Sequence, residues 1–177
     1  MAAATIWTIG HSTRSAEEFI AVLQAHGIEL LADVRRFPGS RRHPHFGGDA
    51  LADRLAAAGI GYTWLARLGG RRRGEAQAQH LGWRNPSFRS YAAYTWSEDF
   101  AQGLEELLHI AQAGRTAIMC SELLWWRCHR ALVSDVLLFL GLHVIHIATE
   151  AQVSPHPYTS PARIVEGELV YPAQECC

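Results

Sequence analysis

Apolar positions along the chain follow two periods. Short, nearly continuous apolar runs fall at residues 5–9, 28–34, 60–65, 115–119 and 142–147. Runs of this length and density predict strands buried on both faces, as in a parallel sheet. Between them the apolar residues fall at helical spacing. Phe19, Ile20 and Leu23 do so over 16–25, opened by Ser15 as N-cap and stopped by Gly27. A short helix over 50–58 ends at Gly59. Longer ones span 99–113, with Phe100, Leu104, Leu107, Leu108 and Ala111 inward, and 131–140, with Leu132, Val133, Val136, Leu137 and Leu140. The alternation predicts an α/β fold, a three-layer sandwich around a mainly parallel sheet of about five strands. Residues 67–97 read as an irregular, Arg- and aromatic-rich insert, too long for a connector and suited to a binding loop or lid. In the tail, 151–177, alternation around Glu166-Gly167 predicts a small hairpin. No repeat or linker divides residues 1–177, which read as a single domain.

At 177 residues, 49% of them hydrophobic, the chain can bury one good core. No apolar run approaches the ~18–20 residues that cross a bilayer. The start, Met1 to Ala4, has no basic segment of the kind that opens a signal peptide. Four cysteines, two of them adjacent at the C-terminus, do not form a disulfide framework, so reduced thiols and a cytoplasmic setting are expected. The net charge of −1 conceals an asymmetry. All 16 basic side chains are arginine, and 11 of them lie between Arg35 and Arg89 against three acids. Guanidiniums grip phosphate and carboxylate bidentately, so this stretch points to an anionic partner, DNA or RNA.

The densest chemistry is Met119-Cys120-Ser121-Glu122-Leu123-Leu124-Trp125-Trp126-Arg127-Cys128-His129-Arg130, between a predicted strand and a predicted helix. Two other predicted strand ends carry polar clusters, Gly10-His11-Ser12 and Asp33-Val34-Arg35-Arg36. In a parallel sheet such ends share one edge, where ligands bind. The candidate catalytic residues are Cys120, Cys128, Glu122, Asp33 and His129. A helix N-terminus and nearby arginines lower a thiol pKa, and two carboxylates can divide acid and base roles. His11, Ser12, Arg35, Arg36, Arg41, Arg130, Trp125 and Trp126 are the candidate substrate contacts. Arg71, Arg72, Arg73, Arg84 and Arg89 are the candidate phosphate contacts. Trp83 and Phe88 join the two tryptophans as rings on which bases stack. Structural readings stand beside these: Cys120 as a small buried hydrophobe, Asp33 paired with Arg35 or capping a backbone turn, Glu122 paired with Arg130 or Arg35, His11 as a satisfied structural group, His129 bonded to a carbonyl, and one Trp of the pair in the core. No cofactor is expected. Nor is a metal, since paired Cys-x-x-Cys spacing is absent and Cys176-Cys177 would reach Cys120, Cys128 and His129 only if the tail folded back.

Gly10-His11-Ser12 with Glu18-Phe19, Asp33-Val34-Arg35 with Pro38 and Ser40-Arg41, Gly59-Ile60 with Tyr62, Leu68-Gly69-Gly70, and Met119 to Glu122 with Cys128-His129-Arg130 together resemble the bacterial and archaeal family called domain of unknown function 488. The resemblance spans roughly residues 5 to 150 and implies a fold and a residue set but no reaction. Residues 123–127 stand as an apolar segment where that pattern leads one to expect polar residues. Three functions compete. The first is an enzyme acting on nucleic acid or nucleotides, such as a repair-type hydrolase for a damaged base. The second is a thiol enzyme of rhodanese-like layout, although Cys120 and Arg130 stand farther apart than in the sulfurtransferase loop. The third is a nucleic-acid-binding module without catalysis.

Overall fold

The computed structural model describes residues 3–74 and 80–174. Strands β1 (Thr5–Gly10), β2 (Leu30–Asp33), β3 (Gly61–Trp64), β4 (Thr116–Cys120) and β5 (His143–Ile147) are parallel and lie in the order β3-β2-β4-β1-β5. A sixth strand, β6 (Val153–Pro155), pairs antiparallel with β5 and closes that edge. The sheet therefore has one strand more than the pattern predicts. β6 is three residues long and ends in proline, which only an edge tolerates, so it has no apolar run to announce it.

Helices α1 (Ala16–Ala25), α2 (Gly48–Ala57), α3 (Pro86–Tyr94), α4 (Glu98–Ala113) and α5 (Arg130–Phe139) cover the sheet. A capping box starts α1: the Ser15 hydroxyl accepts from the Glu18 amide, and the Glu18 carboxylate accepts from the Ser15 amide. On one face Phe19, Val22, Leu23, Leu51 and Leu55 pack on Trp7, Ile9, Leu31, Ala117 and Met119. On the other, Tyr91, Phe100, Leu107, Leu132, Val133 and Leu137 pack on Ile6, Ala32, Ile118 and Val144. Successive strand residues feed opposite cores, as the pleat requires.

The insert at 67–97 is not irregular throughout. Asn85 caps α3 by accepting from the Ser87 amide, and Pro86 occupies the first turn. The Tyr91 hydroxyl, buried by this helix, donates to the Leu68 carbonyl at 2.7 Å. Residues 75–79 lie outside the described residues. The expected tail hairpin is β7 (Arg163–Val165) with β8 (Glu168–Val170). Its turn is Glu166 (φ 52°) and Gly167 (φ 79°), two left-handed residues of the kind that match strand twist. Among the described residues, no helix is long and apolar enough to cross a membrane.

The connections place the site. α1 and α2 follow β1 and β2 onto one face, whereas α5 follows β4 onto the other. β4 lies between β1 and β2, so its outgoing chain diverges from both neighbours and opens a crevice at the C-terminal edge.

Candidate functional site

All three polar strand ends meet in this crevice. Gly10 is paired with Cys120, and Asp33 with Met119. Pairing continues past the strands, with the His11 amide on the Cys120 carbonyl at 2.9 Å and the Ser12 amide on the Ser121 carbonyl at 3.0 Å. Gly10 is required here, because a Cβ would collide with the Glu122 carbonyl that crosses it.

A cavity of about 730 Å³ opens beside this crossing. Its lining includes His11 and Ser12 after β1; Arg35, Arg36, Arg41, Arg42 and His43 after β2; Arg71; and Ser121, Glu122 and Leu123 after β4. Asp33 holds one of these arginines in place. Its Oδ1 accepts from Arg35 Nε at 2.8 Å and its Oδ2 from Arg35 Nη2 and the Tyr62 hydroxyl, both at 2.6 Å. Asp33 is fully buried, is absent from the lining, and positions Arg35 rather than facing Glu122 as a second acid. Arg36, Arg41, Arg42 and Arg71 make no ion pair among the described residues. Glu122 is the only carboxylate in the lining among the described residues. It forms no ion pair there with Arg130 or Arg35.

His11 is oriented by two contacts. Its Nδ1 donates to the Ser12 carbonyl at 2.8 Å, and its ring stacks on Phe46 with centroids 4.1 Å apart. This fixes the tautomer with the lone pair on Nε2, and Nε2 is buried without a partner among the described residues. Burial outweighs the Ser12 bond, and Arg35 and His43 add repulsion, so the imidazole pKa falls to about 4. At neutral pH the imidazole is thus uncharged, and its Nε2 is a buried acceptor next to the cavity lining. Ser12 (φ 51°) and Arg71 (φ 57°) are left-handed without being glycine, a strain that collects at ligand sites.

Neither thiol lines the cavity. They lie beside each other with Sγ atoms 3.2 Å apart, Cys120 against the Glu122 carbonyl and Cys128 against the Trp125 carbonyl. Cys120 is 3% exposed, and its Sγ donates to the Glu122 carbonyl at 3.6 Å. Arg130, 1% exposed, donates from Nε to Cys128 Sγ at 3.3 Å, from Nη2 to the Glu122 carbonyl at 2.6 Å and from Nη1 to Thr8 Oγ1 at 3.2 Å. From Thr8 a buried chain continues: Oγ1 to His146 Nδ1 at 2.6 Å, His146 Nε2 to His156 Nδ1 at 2.8 Å, and His156 Nε2 to Asp135 Oδ1 at 2.8 Å. Because the Asp135 carboxylate only accepts, His156 donates to it from Nε2, His146 donates from Nε2 to His156 Nδ1, and the Thr8 hydroxyl donates to His146 Nδ1. The Thr159 hydroxyl (2.5 Å) and the Tyr171 hydroxyl (3.0 Å) complete the Asp135 carboxylate. Burial, with repulsion from His156 and Arg130, lowers the His146 pKa to about 2.

Residues 15–137 match the model of a family described as Domain of unknown function DUF488. The chain belongs to that family. No curated protein and no solved structure matches it. The matched span holds Asp33, the cavity arginines, both thiols, Arg130 and Asp135. His11, Ser12, His146 and His156 fall outside it, so within this DUF488 chain the flanking strands complete both halves of the site.

The other predicted residues separate into those that face the cavity and those that hold the fold. His129 Nε2 donates to the Val34 carbonyl at 2.7 Å, and its ring packs against Gly70. Arg72 bonds the Gly69 and Ala66 carbonyls and lies over the Tyr94 ring at 4.2 Å. Arg89 donates to the Trp83 carbonyl. Arg73 and Arg84 are exposed outside the cavity. Trp83 and Phe88 pack on the core edge to face instead of presenting stacking surfaces. Trp125 stacks on His146 at 4.4 Å and 3°, while Trp126 is 53% exposed, and neither lines the cavity. Among the described residues, no three His, Cys, Asp or Glu side chains form a metal-binding group. Cys176 and Cys177 lie outside the described residues. The sequence reading missed Arg42 and His43, although both follow Arg41 directly. It also missed Thr8, His146, His156 and Asp135, which sit in apolar strand and helix patterns or behind a proline and carry no local signal.

Proposed function

We propose that this protein binds the phosphates of a nucleotide or nucleic-acid strand in the arginine cavity and acts on that ligand as an enzyme, in a cytoplasmic setting. The observation that carries this reading is the set of four guanidiniums, Arg36, Arg41, Arg42 and Arg71, around one cavity and without ion pairs among the described residues. Unbalanced positive charge in a concave site concentrates anions, and guanidinium forks fit phosphate oxygens two at a time. The cavity volume of about 730 Å³ suits a ligand of nucleotide size. His11 Nε2 would accept from a hydroxyl or exocyclic amine of that ligand. Glu122, the one carboxylate in the lining among the described residues, would serve as general acid or base for hydrolysis. Trp126, exposed outside the cavity, would stack a further base of a longer strand.

Titration with inorganic pyrophosphate, nucleoside diphosphates and short single-stranded DNA and RNA tests the reading. Binding should weaken as salt rises, because phosphate contacts release counterions. The double variant Arg41→Ala/Arg42→Ala should lose about tenfold or more in affinity and flatten the salt slope by about one unit per arginine. Glu122→Gln should bind normally and form no product. Absence of binding by all these probes at low salt would overturn the proposal.

A further inference from the structure

We propose that Cys128 and Cys120 form a redox dithiol that exchanges with low-molecular-weight disulfides, Cys128 attacking and Cys120 resolving. Three observations carry this. The two sulfurs, brought from the end of β4 and the loop before α5, are 3.2 Å apart as free thiols. Their exposure is unequal, with Cys128 partly exposed and Cys120 buried, so an incoming disulfide meets Cys128 first. Lastly, Arg130 is buried with no carboxylate partner among the described residues. Its other contacts are neutral oxygens of Thr8, Glu122 and Leu123, which leaves the sulfur of Cys128, 3.3 Å from Nε, as the atom able to carry its counter-charge. A guanidinium removed from water needs that charge.

The groups facing Cys128 are Cys120 from β4, His129 just before α5, Arg130 at its first position, and Tyr91 from α3. Burial alone would raise its pKa, but the Cys120 hydrogen bond and the Arg130 charge outweigh burial and bring it to about 5. Burial, with the Cys128 bond adding to it, pushes Cys120 well above the ordinary thiol range. The pair therefore holds one thiolate and one proton. In the first step the Cys128 thiolate attacks one sulfur of the disulfide RSSR; a Cys128–SR bond forms, the RS–SR bond breaks and RS⁻ leaves. In the second, Cys120 gives its proton to a departing thiolate, its sulfur attacks that of Cys128, the Cys120–Cys128 bond forms and the second RS⁻ leaves. The protein is oxidised by two electrons, RSSR is reduced, and one RSH and one RS⁻ are released.

The chain from Arg130 through Thr8, His146 and His156 to Asp135 positions the guanidinium and does not touch the substrate. The inference does not rest on the ligand of the cavity, because phosphate titration reads arginines and thiol exchange reads sulfur. The test uses the full chain with oxidised glutathione and, separately, iodoacetamide across pH, with peptide mapping to assign every thiol. The wild-type protein should form the 120–128 disulfide, Cys120→Ser should retain glutathione on Cys128, and Cys128→Ser should do neither. Alkylation of Cys128 should keep its rate down to about pH 5, while Cys120 stays unlabelled. Arg130→Met should move the half-rate pH of Cys128 up by about one unit or more. Native wild-type protein that forms no 120–128 disulfide, and whose Cys128 labels only near the ordinary thiol pKa of ~8.5, would overturn the proposal whatever the variants do.

Discussion

From the Glu122 carbonyl a chain runs through Arg130, Thr8, His146 and His156 to Asp135, all five buried and joined by hydrogen bonds. Around the cavity that Glu122 lines lie Arg36, Arg41, Arg42 and Arg71, with no other carboxylate in the lining among the described residues. The two regions share a loop yet treat charge in opposite ways. In the first, low dielectric makes each satisfied bond strong and each missing one costly, so the network fixes a single geometry. In the second, open solvent screens charge that has no ion pair among the described residues, and only Arg36 is engaged, donating to the Arg71 carbonyl at 2.5 Å. The satisfied network holds one geometry, whereas the arginine cluster has no ion pair among the described residues and is the part proposed above to bind.

Removing the carboxylate end of the buried chain should give the largest effect. Asp135→Ala leaves His156 Nε2, the Thr159 amide and hydroxyl, and the Tyr171 hydroxyl without their acceptor. Breaking such a buried polar set by taking one partner costs about 3–5 kcal/mol, measured as a lowered denaturant midpoint. An unchanged midpoint would erase the distinction between the two regions.

Acid should come next. The folded pKa of His146 is about 2 and that of His11 about 4, both below the unfolded value of 6.5. The unfolded chain therefore binds protons first, and stability present above pH 6.5 is lost as pH falls toward 4. A group that protonates in the unfolded chain alone loses about 1.4 kcal/mol for each pH unit below its unfolded pKa, so each histidine contributes roughly 3 kcal/mol over that window. His146→Gln should flatten the pH dependence of the melting temperature; an unaltered profile would show that His146 titrates normally.

The tryptophans sharpen the comparison further. Trp125→Ala removes a ring stacked on His146 and should cost about 2 kcal/mol, whereas Trp126→Ala should stay within about 0.5 kcal/mol. Equal melting of the two variants would contradict the division between a packed and an exposed ring. At the small end, Arg41→Ala and Arg42→Ala should each change stability by less than about 0.5 kcal/mol. A larger loss would mean these arginines brace the fold.

Strands at β1 to β5 and helices α1, α2, α4 and α5 were legible within a residue or two, because burial on both faces of a parallel sheet leaves continuous apolar runs. The convergence of Gly10, Asp33 and Cys120 on one edge followed from the same rule. α3 was hidden because its start, Asn85-Pro86, follows Gly82 among polar residues, so its cap read as a loop. Which arginines face a cavity was not legible, since Arg41 and Arg72 look alike until the carbonyls of Ala66 and Gly69 take the second.

By itself, the sequence determined the α/β class, the strands that carry polar ends, the clustering of arginine and the presence of two thiols near one strand end. Those are local quantities, set by residue type and periodicity. Only the tertiary structure decided that Asp33 is taken up by Arg35, that the thiols lie against each other and not in the cavity lining, and that Thr8, His146, His156 and Asp135 form one chain. Thr8 and His146 are 138 residues apart in sequence and 2.6 Å apart in space. No pattern along the chain encodes that pairing, because hydrogen bonding depends on distance and direction, which exist only after the two strands have been laid side by side.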